Sequence, residues 1–170
     1  MGDRALMSNE GDTKDITVRI ENPHSNDALL LIERLSAELG ARYGDDGSGA
    51  FSPDDILVPG GAFVIARLDA EAVGCGALRP LKEGVGEIKR MFVEPRARGR
   101  GIARKILREL ESIAEGEGYA AVWLETGLLQ PEAIRLYETS GYKRIDCYGQ
   151  YVDNPLSVCF EKILILSPEC

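Results

Sequence analysis

Residues 87–103 read Glu-Ile-Lys-Arg-Met-Phe-Val-Glu-Pro-Arg-Ala-Arg-Gly-Arg-Gly-Ile-Ala, and their order suits the binding of an anion. A short apolar-rich strand runs into Pro95, then an Arg-Gly-Arg-Gly turn, then a strongly periodic helix. The first turn of a helix leaves amide N–H groups without an internal acceptor, and the helix dipole is positive there. Such a point attracts phosphate. Gly99 and Gly101 carry no Cβ, so a diphosphate can come close to the main chain. Charge agrees with this. From Lys89 to Arg108 eight basic side chains stand against Glu94 alone, a local net charge of +7 in a chain of net −8, which leaves −15 for the rest. Screening acts over about 8 Å at physiological salt, so a compact anion responds to the basic window. A nucleic acid meets the acidic remainder and is repelled, and no RGG repetition argues otherwise.

Other chemistries find little support. The lone His24, beside Pro23, has no second histidine to replace it and no context for a Ser-His-Asp or Cys-His nucleophile. Cys75, Cys147, Cys159 and Cys170 show no Cys-x-x-Cys spacing, so neither a metal site nor a disulfide framework is expected. Cys75, between Gly74 and Gly76, reads as a small hydrophobe in a strand. A nucleotide kinase is disfavoured because no Gly-x-x-x-x-Gly-Lys-Ser/Thr occurs.

The elements that must position the glycine turn follow from periodicity. Residues 15–20 alternate as an opening strand, and Leu30, Leu31, Leu35 and Leu39 recur at helical spacing after a cap at Asn26 or Asp27, with Gly40 as the stop. Ser52-Pro53-Asp54-Asp55 starts a short second helix. Residues 63–68 and 72–78 form a hairpin, and 86–93 the next strand. The helix over about 101–116 buries Ile102, Ile106, Leu107, Leu110, Ile113 and Ala114 and turns Arg104, Lys105, Arg108 and Glu111 outward. A strand at 120–125, a helix opened by Pro131 and closed by Gly141, and a final strand pair at 142–148 and 156–163 complete the chain. The order β-α-α-β-β-β-α-β-α-β-β predicts an α/β (α+β) fold with a mixed, mostly antiparallel central sheet flanked by helices.

With 170 residues, 44% of them apolar and 28% charged, the chain reads as one globular domain over 15–166. Residues 1–14 read as a disordered arm and 167–170 as a tail. No apolar run approaches the roughly 18 residues a membrane span needs. The N-terminus lacks a signal-peptide core, and Leu6 argues against myristoylation. A cytoplasmic address without a membrane partner is expected.

Val93-x-Pro95-Arg96-x-x-Gly99-x-Gly101-x-Ala103 resembles the acetyl-CoA signature of the GCN5-related N-acetyltransferase (GNAT) superfamily, whose core is Arg/Gln-x-x-Gly-x-Gly/Ala. Ala133-Ile134-Arg135-Leu136-Tyr137-Glu138-x-x-Gly141-Tyr142 resembles the same family's downstream motif, in the family's order. With the element order, the resemblance covers about residues 15–165. It implies acetyl-CoA as acyl donor, no metal, and transfer within a ternary complex. Backbone amides between Arg98 and Ala103, Ile102 included, would hold the pyrophosphate, with Arg96, Arg98 and Arg100 supplying charge. Met91, Phe92 and Val93 would pair with the pantetheine arm, and the Val93 amide would polarise the thioester carbonyl. Ala133 and Gln130 would flank the arm, although relatives often carry asparagine where Gln130 stands.

Acetyl transfer to an amine needs a base, because an alkyl ammonium has a pKa near ~10. Glu87 matches the base glutamate of the histone-modifying branch, six residues before Val93, and strand alternation sets Glu87, Lys89, Met91 and Val93 on one side. Glu125, at the end of the next strand, is the alternative base. Tyr137 resembles the family's general-acid tyrosine and would protonate the departing thiolate. Arg79 and Arg90 could meet an acceptor carboxylate, with Tyr43 on the wall beside them, which suits a small amino-acid-like amine. A protein N-terminus or lysine as acceptor, and a non-catalytic acyl-CoA sensor, are the rival readings. The chain is expected to be a monomer or homodimer.

Overall fold

The computed structural model describes residues 15–164. The expected arm at 1–14, the tail at 167–170 and Cys170 lie outside the described residues. The strands are β1 (Ile16–Ile20), β2 (Ala62–Leu68), β3 (Glu71–Lys82), β4 (Val85–Val93), β5 (Ala121–Gly127), β6 (Lys143–Ile145) and β7 (Ser157–Ile163). The helices are α1 (Asn26–Tyr43), α2 (Ile102–Gly116) and α3 (Pro131–Thr139). One seven-stranded sheet runs in the order β1-β2-β3-β4-β5-β7-β6. Its pairs are antiparallel except β4 with β5, which are parallel. The expected mixed, mostly antiparallel sheet is present. No described helix is long and apolar enough to cross a membrane.

Two apolar layers hold the helices to the sheet. On one side Ile102, Ile106, Leu107 and Leu110 of α2 and Tyr137 of α3 pack on Val64, Leu78, Ile88, Leu124 and Phe160. On the other, Leu31 and Leu35 of α1 meet Phe63, Ile65, Cys75, Ala77 and Phe92. A fully buried Leu, Ile or Phe contributes about 1.5–3 kcal/mol relative to exposure, so these layers fix where both ends of α2 lie. Glu111 departs from the expected outward face of α2. It is buried, and accepts from the Tyr142 hydroxyl at 3.1 Å and the Lys162 ammonium at 2.9 Å.

Helix α1 does not stop at Gly40. It starts from a Ser25 cap rather than Asn26 or Asp27, and ends at Gly44, whose φ of 73° turns its N–H onto the Gly40 carbonyl. A glycine inside a helix costs about 1 kcal/mol, which the buried Leu31 and Leu35 offset. The left-handed cap is the position that requires glycine. The expected second helix is a 3₁₀ turn at Pro53–Ile56, opened by Ser52 in a reciprocal cap with Asp55. The expected strand at 142–148 shrinks to Lys143–Ile145, and a 3₁₀ turn at Gly149–Tyr151 follows it.

Two corrections bear on the site. Cys147 and Cys159 form a disulfide, contrary to the expectation from cysteine spacing, because the chain reversal after β6 brings them together with Cα atoms 5.2 Å apart. Strand β4 is also not continuous in phase. Its register against β3 jumps between Phe92↔Cys75 and Lys89↔Ala77, and Arg90 sits at the jump with φ 56°. Such a bulge inverts the alternation of side chains. Glu87 and Lys89 therefore lie on the face of β4 opposite Met91 and Val93, not on the same one.

Candidate active site

Strands β4 and β5 pair only from Val85–Ile88 to Ala121–Leu124. From Lys89 onward β4 has no partner on that side, and the two strands splay apart. Glu94 N–H donates to Val73 O at 2.7 Å across the β3 edge. Alternation along the strand therefore turns the Val93 N–H the other way, into the splay. The Val93 carbonyl accepts from Arg98 Nε at 2.9 Å. Met91 and Val93 pack toward α2, whereas Phe92 is buried against α1, so Phe92 offers the splay only its backbone.

The glycine turn ends at the mouth of the splay. Gly99 and Gly101 have φ of 80° and 76°, and a Cβ at either would meet nothing within 4 Å. The amides of residues 99–104 donate to no acceptor among the described residues, while Lys105 N–H already bonds Gly101 O. A ring of free N–H groups at the α2 N-terminus, facing open space, fits a pyrophosphate. Ile102 is buried beneath it and Ala103 is half-buried beside it. The arginines divide their roles. Arg96 pairs with Glu71 at 2.8 Å and Arg98 with Glu38 at 2.8 Å, so both brace the fold. Arg100 has no partner among the described residues and is exposed, the one of the three with its charge uncommitted.

The α1-side face of the sheet holds the polar groups. Register aligns Arg79, Glu87, Trp123 and Glu161 in one row across β3, β4, β5 and β7. The next row carries Lys89 on β4, then, across the splay, Glu125 and Cys159. Glu87 is 1% exposed and both its oxygens are engaged. Arg79 Nε donates to Oε1 and the Tyr148 hydroxyl to Oε2, each at 2.7 Å. Arg79 also reaches Asp55 and the Ala50 carbonyl, at 3.0 and 3.1 Å. Burial pushes the Tyr148 phenol far up, with the Glu87 carboxylate adding to the shift, so Tyr148 stays a donor. Removing a buried partner from such a pair leaves an uncompensated charge. Glu87→Ala should cost about 3 kcal/mol in denaturant unfolding, with the coenzyme-dependent rise in thermal midpoint retained.

Glu125 differs. It is half-buried, and its carboxylate takes part in no hydrogen bond among the described residues. Desolvation raises its pKa above the ordinary carboxylate value; Lys89 opposes that shift and Glu87 reinforces it. Tyr137 is buried in the α2-side core against Tyr142 and Phe160, and burial raises its phenol, with Glu125 adding to the effect. Its hydroxyl has no hydrogen bond within the described residues, so a donor proton is free. Ala133 is half-buried on the same side.

A cavity of about 540 Å³ opens on the α1-side face, lined among others by Ser48, Phe51, Arg79, Glu87, Tyr148 and Tyr151. Arg90 lies behind its wall, 8% exposed, over the Phe51 ring and donating to the Gly47 carbonyl at 2.7 Å. Burial lowers its pKa, and its Nε has no partner. Lys89 bonds the Tyr151 hydroxyl. Tyr43 and Gln130 are drawn together elsewhere. Gln130 Oε1 accepts from the Tyr43 hydroxyl at 3.2 Å and from Gly127 N–H at 3.3 Å, which ties α1 to the end of β5. A Cβ at Gly127 would overlap Tyr43. Tyr148, Tyr151 and Lys89 escaped sequence reasoning. Tyr148 reaches Glu87 across 61 residues, and no local pattern marks that contact.

The model of the acetyltransferase (GNAT) family matches residues 29–142. An IAA acetyltransferase from Azospirillum brasilense is 37% identical over 151 residues, 88% of this chain and 99% of that one. A crystal structure from Klebsiella pneumoniae that carries the name acyl-CoA N-acyltransferase is 32% identical, with TM-score 0.75 over 88% of this chain and 98% of that one. A GNAT acetyltransferase from Elizabethkingia anophelis with acetyl-CoA bound shares the fold, with TM-score 0.66 at 19% identity over 88% and 98%. The splayed β4–β5 pair, the glycine turn and these similarities converge: the chain belongs to the GNAT family and is an acetyltransferase enzyme.

Proposed function

We propose that the protein moves an acetyl group from acetyl-CoA to the primary amine of a small, amino-acid-like acceptor, by direct transfer in a ternary complex in the cytoplasm. The observation that carries this reading is the splay, with orphan amides at one mouth and the Lys89–Glu125 row at its base. The donor supplies an activated thioester. The Val93 N–H faces the carbonyl oxygen and stabilises negative charge there. Glu125 takes the ammonium proton: its raised pKa brings it nearer the working pH, where a base is most effective. Glu87, with both oxygens engaged, holds Arg79 and Tyr148 in place. Tyr137 gives its proton to the departing sulfur.

The acceptor reading rests on charge. Lys89 and Arg90 have no carboxylate in salt-bridge distance among the described residues, and both lie beside the cavity. An acceptor carboxylate would complement them. Tyr137→Phe should slow turnover by roughly 10²–10⁴ without loss of fold, read by steady-state kinetics beside circular dichroism. Full activity would assign Tyr137 to packing. The deciding experiment is a release assay for free CoA thiol with amines, amino acids and peptides as acceptors. Amino acids should outpace simple alkylamines in kcat/KM. Release only with peptides would transfer the reading to a protein acceptor, and none with any class would favour a sensor.

A further inference from the structure

We propose that the Cys147–Cys159 disulfide is a redox-sensitive clamp on the acceptor cavity, so that reducing it weakens acceptor binding and leaves coenzyme binding intact. The proposal rests on the assignment of that cavity to the acceptor. Cys147 directly precedes Tyr148, whose hydroxyl holds Glu87 at 2.7 Å, and Tyr151 follows three residues later with Lys89 on its hydroxyl. Both tyrosines line the cavity. Cys159 stands opposite Glu125 in the β5–β7 register. One covalent bond thus ties the cavity wall to the strand pair that carries the candidate base.

Apart from these side-chain contacts and the Leu128 N–H on the Leu156 carbonyl at 2.8 Å, little restrains the backbone of that wall. From residue 146 to 156 the chain has no strand pairing, only the 3₁₀ turn at Gly149–Tyr151. The two cysteines are twelve residues apart in sequence. Opening the bond frees this segment to sample arrangements in which Tyr148 leaves Glu87. The pair is open to exchange on one side only: Cys147 is half-buried, whereas Cys159 is 1% exposed. A small thiolate attacks the Cys147 sulfur, the S–S bond breaks, and Cys159 leaves as a thiolate and takes a proton. A second equivalent of thiol resolves the mixed disulfide. Two electrons enter the protein and the small thiol departs as its own disulfide. A low-molecular-weight disulfide drives the reverse. In a reducing compartment, disulfides of this kind are mostly transient or redox-sensing. Cys75 takes no part, being fully buried with its thiol pushed up to about 12.

Trp123, the chain's single tryptophan, packs on Tyr148 with ring centroids 5.1 Å apart, so its emission reports the wall directly. The test compares the enzyme oxidised by glutathione disulfide with the same enzyme reduced by a trialkylphosphine, which carries no thiol to be acetylated. Acetylated acceptor is measured by mass spectrometry. Alkylation mapping should find Cys147 and Cys159 blocked in the first state and free in the second. Reduction should shift Trp123 emission and raise acceptor KM roughly tenfold, if the free wall holds its cavity-competent arrangement a tenth of the time. The rise in thermal midpoint with acetyl-CoA should be the same in both states. Cys147→Ser should match the reduced enzyme and ignore the phosphine, and Cys159→Ala repeats the test if that variant fails to fold. Free thiols at both positions after oxidation, or unchanged emission and KM on reduction, overturn the proposal. An emission shift with unchanged KM also overturns it. Absence of turnover with every amine in either state would instead remove the acceptor assignment, since emission and alkylation are read without turnover.

Discussion

Replacing Gly101 by glutamate should abolish the rise in thermal midpoint that acetyl-CoA gives the wild-type protein. Ligand at a hundred times its Kd stabilises by about 2.7 kcal/mol, which for a chain of this size is a shift of about 5–10 °C. Gly101 has φ 76°, and its missing Cβ points into open space at the N-terminus of α2. A glutamate there pays about 1–2 kcal/mol for the left-handed backbone. It also places a carboxylate where the orphan amides attract phosphate, so the site is filled by the protein's own charge. Gly101→Ala separates the two effects, because it adds the strain without the charge and should keep part of the shift. A normal shift in the glutamate variant, measured by differential scanning fluorimetry, would remove the pyrophosphate assignment.

Glu125→Gln should lower turnover by roughly 10²–10⁴ while coenzyme binding survives. The same substitution should raise the thermal midpoint at neutral pH. Burial raises the Glu125 pKa above its unfolded value, so the folded state disfavours the charged form. That contribution to stability is fully present below the unfolded pKa and is lost as pH rises through the folded one. Glutamine cannot ionise, so its advantage over wild type should appear at neutral pH and vanish in acid. The kinetic sign is opposite. Wild-type turnover should fall as pH drops through the raised pKa, and this acidic limb should be missing in the variant's residual rate. Turnover near wild type would hand the proton to solvent, and a lowered midpoint would show that Glu125 is held by contacts rather than penalised by burial.

Much of the fold was legible because its signals are local. The α2 face repeats Ile102, Ile106, Leu107, Leu110 and Ala114 at helical spacing, and each is buried as that spacing requires. Glu111 broke the rule, since its partners Tyr142 and Lys162 come from residues 31 and 51 positions away. Gly40 misled for a related reason: glycine both caps and interrupts helices, and the packing of Leu31 and Leu35 decided which. The candidate site was legible at its glycine turn, whose residues lie together within 93–103, and much less so around Glu87 and Glu125. Glu87 and Glu125 look alike as strand carboxylates. They are separated by Arg79 and Tyr148, which occupy one and leave the other free.

Family, element order and the glycine turn ahead of α2 were thus legible in the sequence alone, because they depend on neighbours within a few residues: glycines at a turn, a helix start, an apolar period. Tertiary structure decided the rest. A single bulged residue, Arg90, placed Glu87 and Lys89 on the opposite face from Met91 and Val93. The return of the chain after β6 brought Cys147 to Cys159 and Tyr148 to Glu87. Register shifts and long-range closures are settled by the packing of whole layers, and no short stretch of residues carries that information.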